Sequence, residues 1–212
     1  MPLNLHAIEE ELKKRWPYPY TWGRKQSDAW DAQTNFIYKT PSFDGLLRQT
    51  ELMPPPIKNY AMNRWYNFWS AQAVEAIFCS FPTVKPNLNP YHKLIDFRIN
   101  GIAFDHKTTV FPRAFSPQRR HGVTPAEYAK QHPAALARWL YENQSQQGRK
   151  HLENRLFIVL LHKSGEHWKL KAEISLLKET IGNYISSFHE KALILLPIQG
   201  KTVRTDILWV EQ

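Results

Sequence analysis

Asp96 and Asp105 flank the dipeptide Asn100-Gly101, and Lys107 follows two residues after the second aspartate. Asn-Gly between two alternating segments, 94–99 and 102–107, predicts a β-hairpin, because both central residues of a type I′ turn need positive φ. A two-residue loop sets Ile99 against Ile102, Arg98 against Ala103, Phe97 against Phe104 and Asp96 against Asp105. The period of two then puts Ile95, Phe97, Ile99, Ile102 and Phe104 on a core face and Asp96, Asp105 and Lys107 on the other. Carboxylates opposed in this way have Cβ atoms about 4.5–5.5 Å apart and repel each other. A divalent cation such as Mg²⁺, which takes one or two carboxylates and keeps several waters, is the natural compensation. Lys107 softening the repulsion on its own is the simpler alternative. Beside a metal, a lysine can orient or help deprotonate a water, and metal, basic partner and phosphate together make a phosphodiester hydrolysis site.

The elements around the hairpin must hold these groups. Residues 61–81 read as a helix with Trp65, Trp69, Gln72, Ala76 and Cys79 on one stripe,. Phe81-Pro82 ends it, and a Pro/Asn loop runs to Pro90. After the hairpin comes a basic loop, 111–122. Thr124-Pro125-Ala126-Glu127 is a capping box, so a helix starts there, is interrupted or restarted at Pro133 and ends near Asn143,. A polar loop, 144–155, precedes a buried-type strand at 156–162. A strand at 167–174, a helix capped by Ser175 and two strands at 192–198 and 205–210 complete the chain. The fold class expected is α/β, a central mixed β-sheet flanked by helices. Residues 1–60 read as an N-terminal arm or small subdomain, closed off by the stiff Met53-Pro54-Pro55-Pro56, with the main domain at 61–212,.

Asp96, eight intervening residues and Asp105-His106-Lys107 on a hairpin resemble the PD-(D/E)XK nuclease superfamily. Glu75, on the helix before the hairpin, matches a glutamate that this superfamily often turns toward its site. The resemblance covers roughly residues 62–162. Ile95 stands where the motif's name implies proline, and neither the Gln-x-x-x-Tyr feature nor the cluster cysteines of the RecB-like branch are evident. The resemblance implies a restriction-endonuclease-like αβββαβ core and a metal-dependent endonuclease acting on DNA, double-stranded above all. It implies Asp96, Asp105 and the His106 carbonyl as ligands of Mg²⁺, with Mn²⁺ substituting. Glu75 would bind the metal directly or through water, an exposed glutamate being the alternative. Lys107 would position the attacking water. His106 itself is expected to face away from the site.

The wider composition agrees with a polyanion partner. Lys and Arg total 28 against 19 acidic residues, giving +9, and the pI is near 9.6,. Arg113, Arg119, Arg120, Arg149 and Lys150 fall in loops flanking the proposed site; phosphate contact is the functional reading and a solvated loop the plain one. The aromatic segment 16–38 could stack on bases, pack on the core or meet a second copy. Cutting both strands would favour a symmetric homodimer. One cysteine excludes an internal disulfide framework and a Cys-based zinc finger, and Cys79 reads as a small core residue,. No Gly-rich phosphate loop occurs, so ATP-driven motor activity is unsupported. With no apolar run of membrane length and no signal-peptide layout, a cytoplasmic location is expected. Two other functions share the scaffold: a DNA-binding regulatory module without turnover, and a nuclease directed at RNA or branched junctions.

Overall fold

The computed structural model describes residues 3–21, 28–89, 94–116, 122–143 and 152–212. Helix α1 (Leu5–Lys13) begins at Asn4, whose carboxamide oxygen accepts the Ala7 N–H,. A short α2 (Asp28–Gln33) and a 3₁₀ turn at Asn35–Lys39 lead to α3 (Phe43–Gln49), capped by the Ser42 hydroxyl. Helix α4 (Pro55–Cys79) starts on its own prolines, where the missing N–H costs nothing,. The stiff boundary expected at 53–56 is therefore a helix start, and the division expected between residues 60 and 61 falls inside α4.

Three antiparallel strands follow: β1 (Val84–Pro86), β2 (Phe97–Ile99) and β3 (Ile102–Val110). Thr124 and Glu127 form the expected capping box on α5 (Pro125–Gln131), and Pro133 restarts the chain as α6 (Pro133–Asn143). Strand β4 (Arg155–Leu161), α7 (Ile174–Ser187), β5 (Ile194–Ile198) and β6 (Lys201–Glu211) complete an open, mixed, six-stranded sheet of order β1-β2-β3-β4-β6-β5. Its middle strands β3, β4 and β6 run parallel, and the flanking pairs are antiparallel.

Helices cover both faces, which is why β4 reads as an unbroken apolar run. Leu156, Ile158 and Leu160 point into the core under α4 and α7, while Phe157 and Val159 pack under α5 and α6. Ile8, Leu12, Ile37, Phe43 and Leu46 from the first sixty residues belong to the same core as Trp65, Phe78 and Phe104. Their aromatic neighbours Trp16, Tyr18 and Tyr20 pack against that core too, so these members of the 16–38 segment are spent on packing.

Three local expectations are corrected. The buried stripe of α4 is Tyr66, Ser70, Ala73, Val74, Ile77 and Phe78, whereas Gln72 is exposed. The N-terminal segments wrap the first half of this helix, so its burial there is nearly all round and the tryptophans do not mark one seam. The segment expected as a strand at 167–174 contains a 3₁₀ turn, His167–Ala172. Strand β4 already has neighbours on both sides, so the alternating Trp168, Leu170 and Ala172 cannot join it. They pack instead toward α4: the Tyr66 hydroxyl donates to the Trp168 carbonyl at 3.1 Å, and Tyr20 stacks on Trp168 at 4.6 Å. Finally, Glu173 holds the N-cap position of α7, and the Ser175 hydroxyl donates to Glu9. Among the described residues no helix is long and apolar enough to cross a membrane.

Candidate active site at a strand fork

The β2–β3 turn has the expected form. Asn100 and Gly101 take φ of +48° and +87°, and the ladder pairs Phe97 with Phe104, Arg98 with Ala103 and Ile99 with Ile102. Strand β2 begins only at Phe97, so Asp96 lies just outside the ladder. Successive N–H groups of a strand point to opposite edges. The Asp105 N–H donates toward β4, to the Asn154 carbonyl at 3.0 Å. The His106 N–H must therefore face the side that β2 has left, and a buried N–H needs an acceptor. The Asp96 carboxylate supplies it: Oδ2 accepts the His106 N–H at 2.7 Å and lies 2.7 Å from His106 Nδ1. The imidazole is buried and stacks on Phe97, with ring centres 5.9 Å apart. The ring does lie on the core side, as expected, yet it belongs to the site because it grips Asp96.

Asp105 and Lys107 point to the opposite face of the sheet, under α6, so the single face expected for Asp96, Asp105 and Lys107 is not formed: the ladder ends at Phe97–Phe104, and His106 draws the unpaired Asp96 to its own side. Lys107 Nζ donates to Asp105 Oδ1 at 2.8 Å, and Arg155 Nε donates to Asp105 Oδ2 at 2.7 Å. The Asp105 and Arg155 side chains are only 6% and 8% exposed, while Lys107 is 46% exposed. Asp105 therefore has a buried and a solvent-facing cation. The Arg155 guanidinium also lies 5.5 Å from the Tyr141 ring. Asn154 fastens the start of β4 on both sides: its Nδ2 donates to the Ala103 carbonyl, and its Oδ1 accepts the Arg204 N–H.

The like charges are thus compensated within the chain. Burial pushes the Asp96 carboxyl up, but hydrogen bonds from His106 and the charges of His106 and Lys107 outweigh it and hold Asp96 below the ordinary aspartate value,. Glu75, half-buried on α4, shows the reverse. Burial and the nearby charge of Asp96 push its carboxyl up, with His106 only partly offsetting them. One turn further on, burial with Glu75 and Asp96 pushes the Cys79 thiol up to about 11, leaving it a packed thiol and a poor nucleophile,.

The structure so brings Glu75, Asp96 and His106 into one electrostatic group and Asp105, Lys107 and Arg155 into another, on the two sides of the same fork. Arg113 is exposed beyond the far end of β3, about 17 Å along the strand from Asp105,. Its charge bears on His167. It does not flank the fork. Arg119, Arg120, Arg149 and Lys150 lie outside the described residues. Sequence reasoning places Arg155 in a polar loop and misses its role beside Asp105. Its signal is an arginine abutting a fully apolar run, where a buried charge requires a partner. Among the described residues, no three His, Cys, Asp or Glu side chains converge to hold a metal ion. Comparison with protein-family models, curated proteins and solved structures gives no significant match.

Proposed function

We propose that this protein is a metal-dependent endonuclease that hydrolyses DNA phosphodiester bonds, with Asp96, Asp105, Lys107 and Glu75 as its working groups. One observation supports the reading: where β2 parts from β3, Asp96 with the nearby charge of Glu75 stands on one side of the fork and the Asp105–Lys107 pair on the other, and the Lys107 charge still reaches Asp96. The order of helix, three antiparallel strands, helices and parallel strand around that fork is similar to the order that an αβββαβ core would give, which supports the resemblance to PD-(D/E)XK nucleases. The charge of +9 suits a polyanionic substrate,.

The side chains that the resemblance names for a metal do not converge among the described residues: Glu75 and Asp96 stand on one side of the fork and Asp105 on the other. Glu75, Asp96, Asp105 and the His106 carbonyl all offer oxygen donors, the kind that Mg²⁺ takes and Mn²⁺ accepts, and a metal would need them drawn together. The raised Glu75 carboxyl reflects burial first and then repulsion from Asp96, and a cation would relieve the second. When bound, the ion sets positive charge against the phosphate. The remaining work falls to the chain. Lys107, half-exposed beside Asp105, orients the attacking water and faces the charge that develops on the phosphate oxygens,. Arg155 fixes the second Asp105 oxygen, and His106 fixes Asp96.

A DNA-binding module without turnover is favoured by a different observation. Both aspartates already have cationic or hydrogen-bonding partners from the chain, and no three metal-ligating side chains converge among the described residues. Incubating the purified protein with duplex, single-stranded and branched DNA and with RNA, in Mg²⁺ and in Mn²⁺, separates the readings. The nuclease reading expects cleavage of at least one DNA substrate, suppressed by EDTA. Binding without cleavage of any substrate supports the module, and cleavage of RNA or branched DNA alone reassigns the substrate.

A further inference from the structure

At the opposite end of the sheet from the fork lies a cavity of about 630 Å³, lined by Lys130, Leu161, His162, Lys163, His167 and Glu211 among others. It is about 23 Å along β4 from Arg155. Both imidazoles there are locked by backbone donors. The His162 N–H donates to His167 Nδ1 at 2.8 Å, and the Ser164 N–H donates to His162 Nδ1 at 3.1 Å. The Ser164 hydroxyl stands 2.7 Å from the same His162 nitrogen. An Nδ1 that accepts a hydrogen bond holds no proton, so the proton of each neutral ring sits on Nε2. Two imidazoles whose Nδ1 atoms are engaged by backbone N–H groups thus line the cavity.

The charges around these rings are predominantly positive. Lys163 is exposed at the rim, and Arg113 stands close enough to His167 for its charge to act on the ring. Among the described residues neither pairs with a carboxylate. The nearby acids are already engaged, Glu211 by Lys130 at 2.5 Å and Glu166 by Lys169 at 2.8 Å. Burial, Arg113 and His162 together hold His167 below its ordinary value, against a backbone hydrogen bond at His162 that acts the other way. A metal ion would need the Nε2 lone pairs, and the two backbone N–H groups deny the rings the tautomer that exposes them.

We propose that this cavity is a phosphate-binding site separate from the carboxylate fork, in which the Nε2–H groups of His162 and His167 donate to phosphate oxygens and Lys163 and Arg113 supply the positive charge. Two charge-assisted donors and two cations match a phosphate monoester or diester. The source is either a small phosphate-bearing ligand or the backbone of a nucleic acid.

The test is calorimetric titration of the full chain in EDTA, with inorganic phosphate in one arm and a short DNA duplex in the other. His167→Asn keeps an amide oxygen for the His162 N–H and deletes the Nε2–H donor. It should weaken phosphate binding about tenfold. Should that variant fail to fold, the double variant Arg113→Gln/Lys163→Gln, altering two exposed side chains, should weaken phosphate by at least a similar factor. If duplex affinity falls in parallel, the site holds backbone phosphate; if it is unchanged, the site serves a small ligand. Absence of phosphate binding by the natural chain, or wild-type phosphate affinity in the folded variant, overturns the proposal. Because EDTA suppresses metal-dependent chemistry, this result stands or falls separately from the nuclease reading.

Discussion

Arg155 and Lys107 hold the two oxygens of one carboxylate, but they contribute differently. The Asp105–Arg155 pair is buried on both sides, so losing either partner strands a charge away from water,. Arg155→Ala should cost about 3 kcal/mol in urea unfolding, with part of the loss from the Tyr141 ring contact,. Lys107 is half-exposed, so Lys107→Ala should change stability by less than about 1 kcal/mol while removing hydrolysis,. Glu75 reverses the usual relation between stability and function. Its carboxyl is raised by burial and by Asp96, so folding disfavours its ionised form. Stability from this group is lost as pH rises through its raised value. Glu75→Gln should therefore raise the melting temperature by about 2 °C at neutral pH, and the gain should vanish below about pH 4, where the carboxyl is protonated in both states. The same substitution should abolish metal-dependent cleavage. Thermal scans at the two pH values, paired with a cleavage assay, check both halves.

At the scale of elements, two turns of the same kind offer a controlled comparison. Asn100-Gly101 joins β2 to β3, and Gln199-Gly200, with φ of +47° and +78°, joins β5 to β6. A Cβ at either glycine meets open space, so an alanine there costs only the left-handed backbone, about 1–2 kcal/mol,. Gly101→Ala and Gly200→Ala should lower stability alike, yet only the first should depress cleavage, because only the first turn sets Asp96 against β3. The sequence makes one of these turns legible and hides the other. Asparagine tolerates positive φ and announces it, whereas glutamine in the same role gives no sign. The hairpin register, the Thr124 cap and the Pro133 restart are similarly legible because each rests on chemistry within a few residues. The Arg155 contact with Asp105 spans fifty residues and exists only because β4 pairs with β3. The strand expected near Trp168 failed for the same reason: local alternation carries no record of which sheet edges are already taken.

For the whole molecule, the open question is what the first sixty residues do. Leu12, Phe43 and Leu46 are fully or almost fully buried in the core that includes Trp65, and the indole N–H groups of Trp65 and Trp69 donate to the Thr40 and Ile37 carbonyls. Arg15, itself buried, donates to the Asn63 side chain of α4. Removing residues 1–53 would expose this apolar surface and strand those donors. The truncated chain should lose its cooperative thermal transition, as followed by near-ultraviolet circular dichroism. A sharp transition retained by residues 54–212 would show instead that the N-terminal segments are an independent arm.

The fork at β2 and β3 carries the proposed chemistry, and conversion of supercoiled plasmid to nicked or linear DNA tests it most directly. In Mg²⁺ the natural chain should convert the plasmid, while Asp105→Asn and Lys107→Ala should convert it at least about a hundredfold more slowly and still bind DNA. Equal conversion by the natural chain and both variants, or tight DNA binding with an intact plasmid in every case, would contradict it.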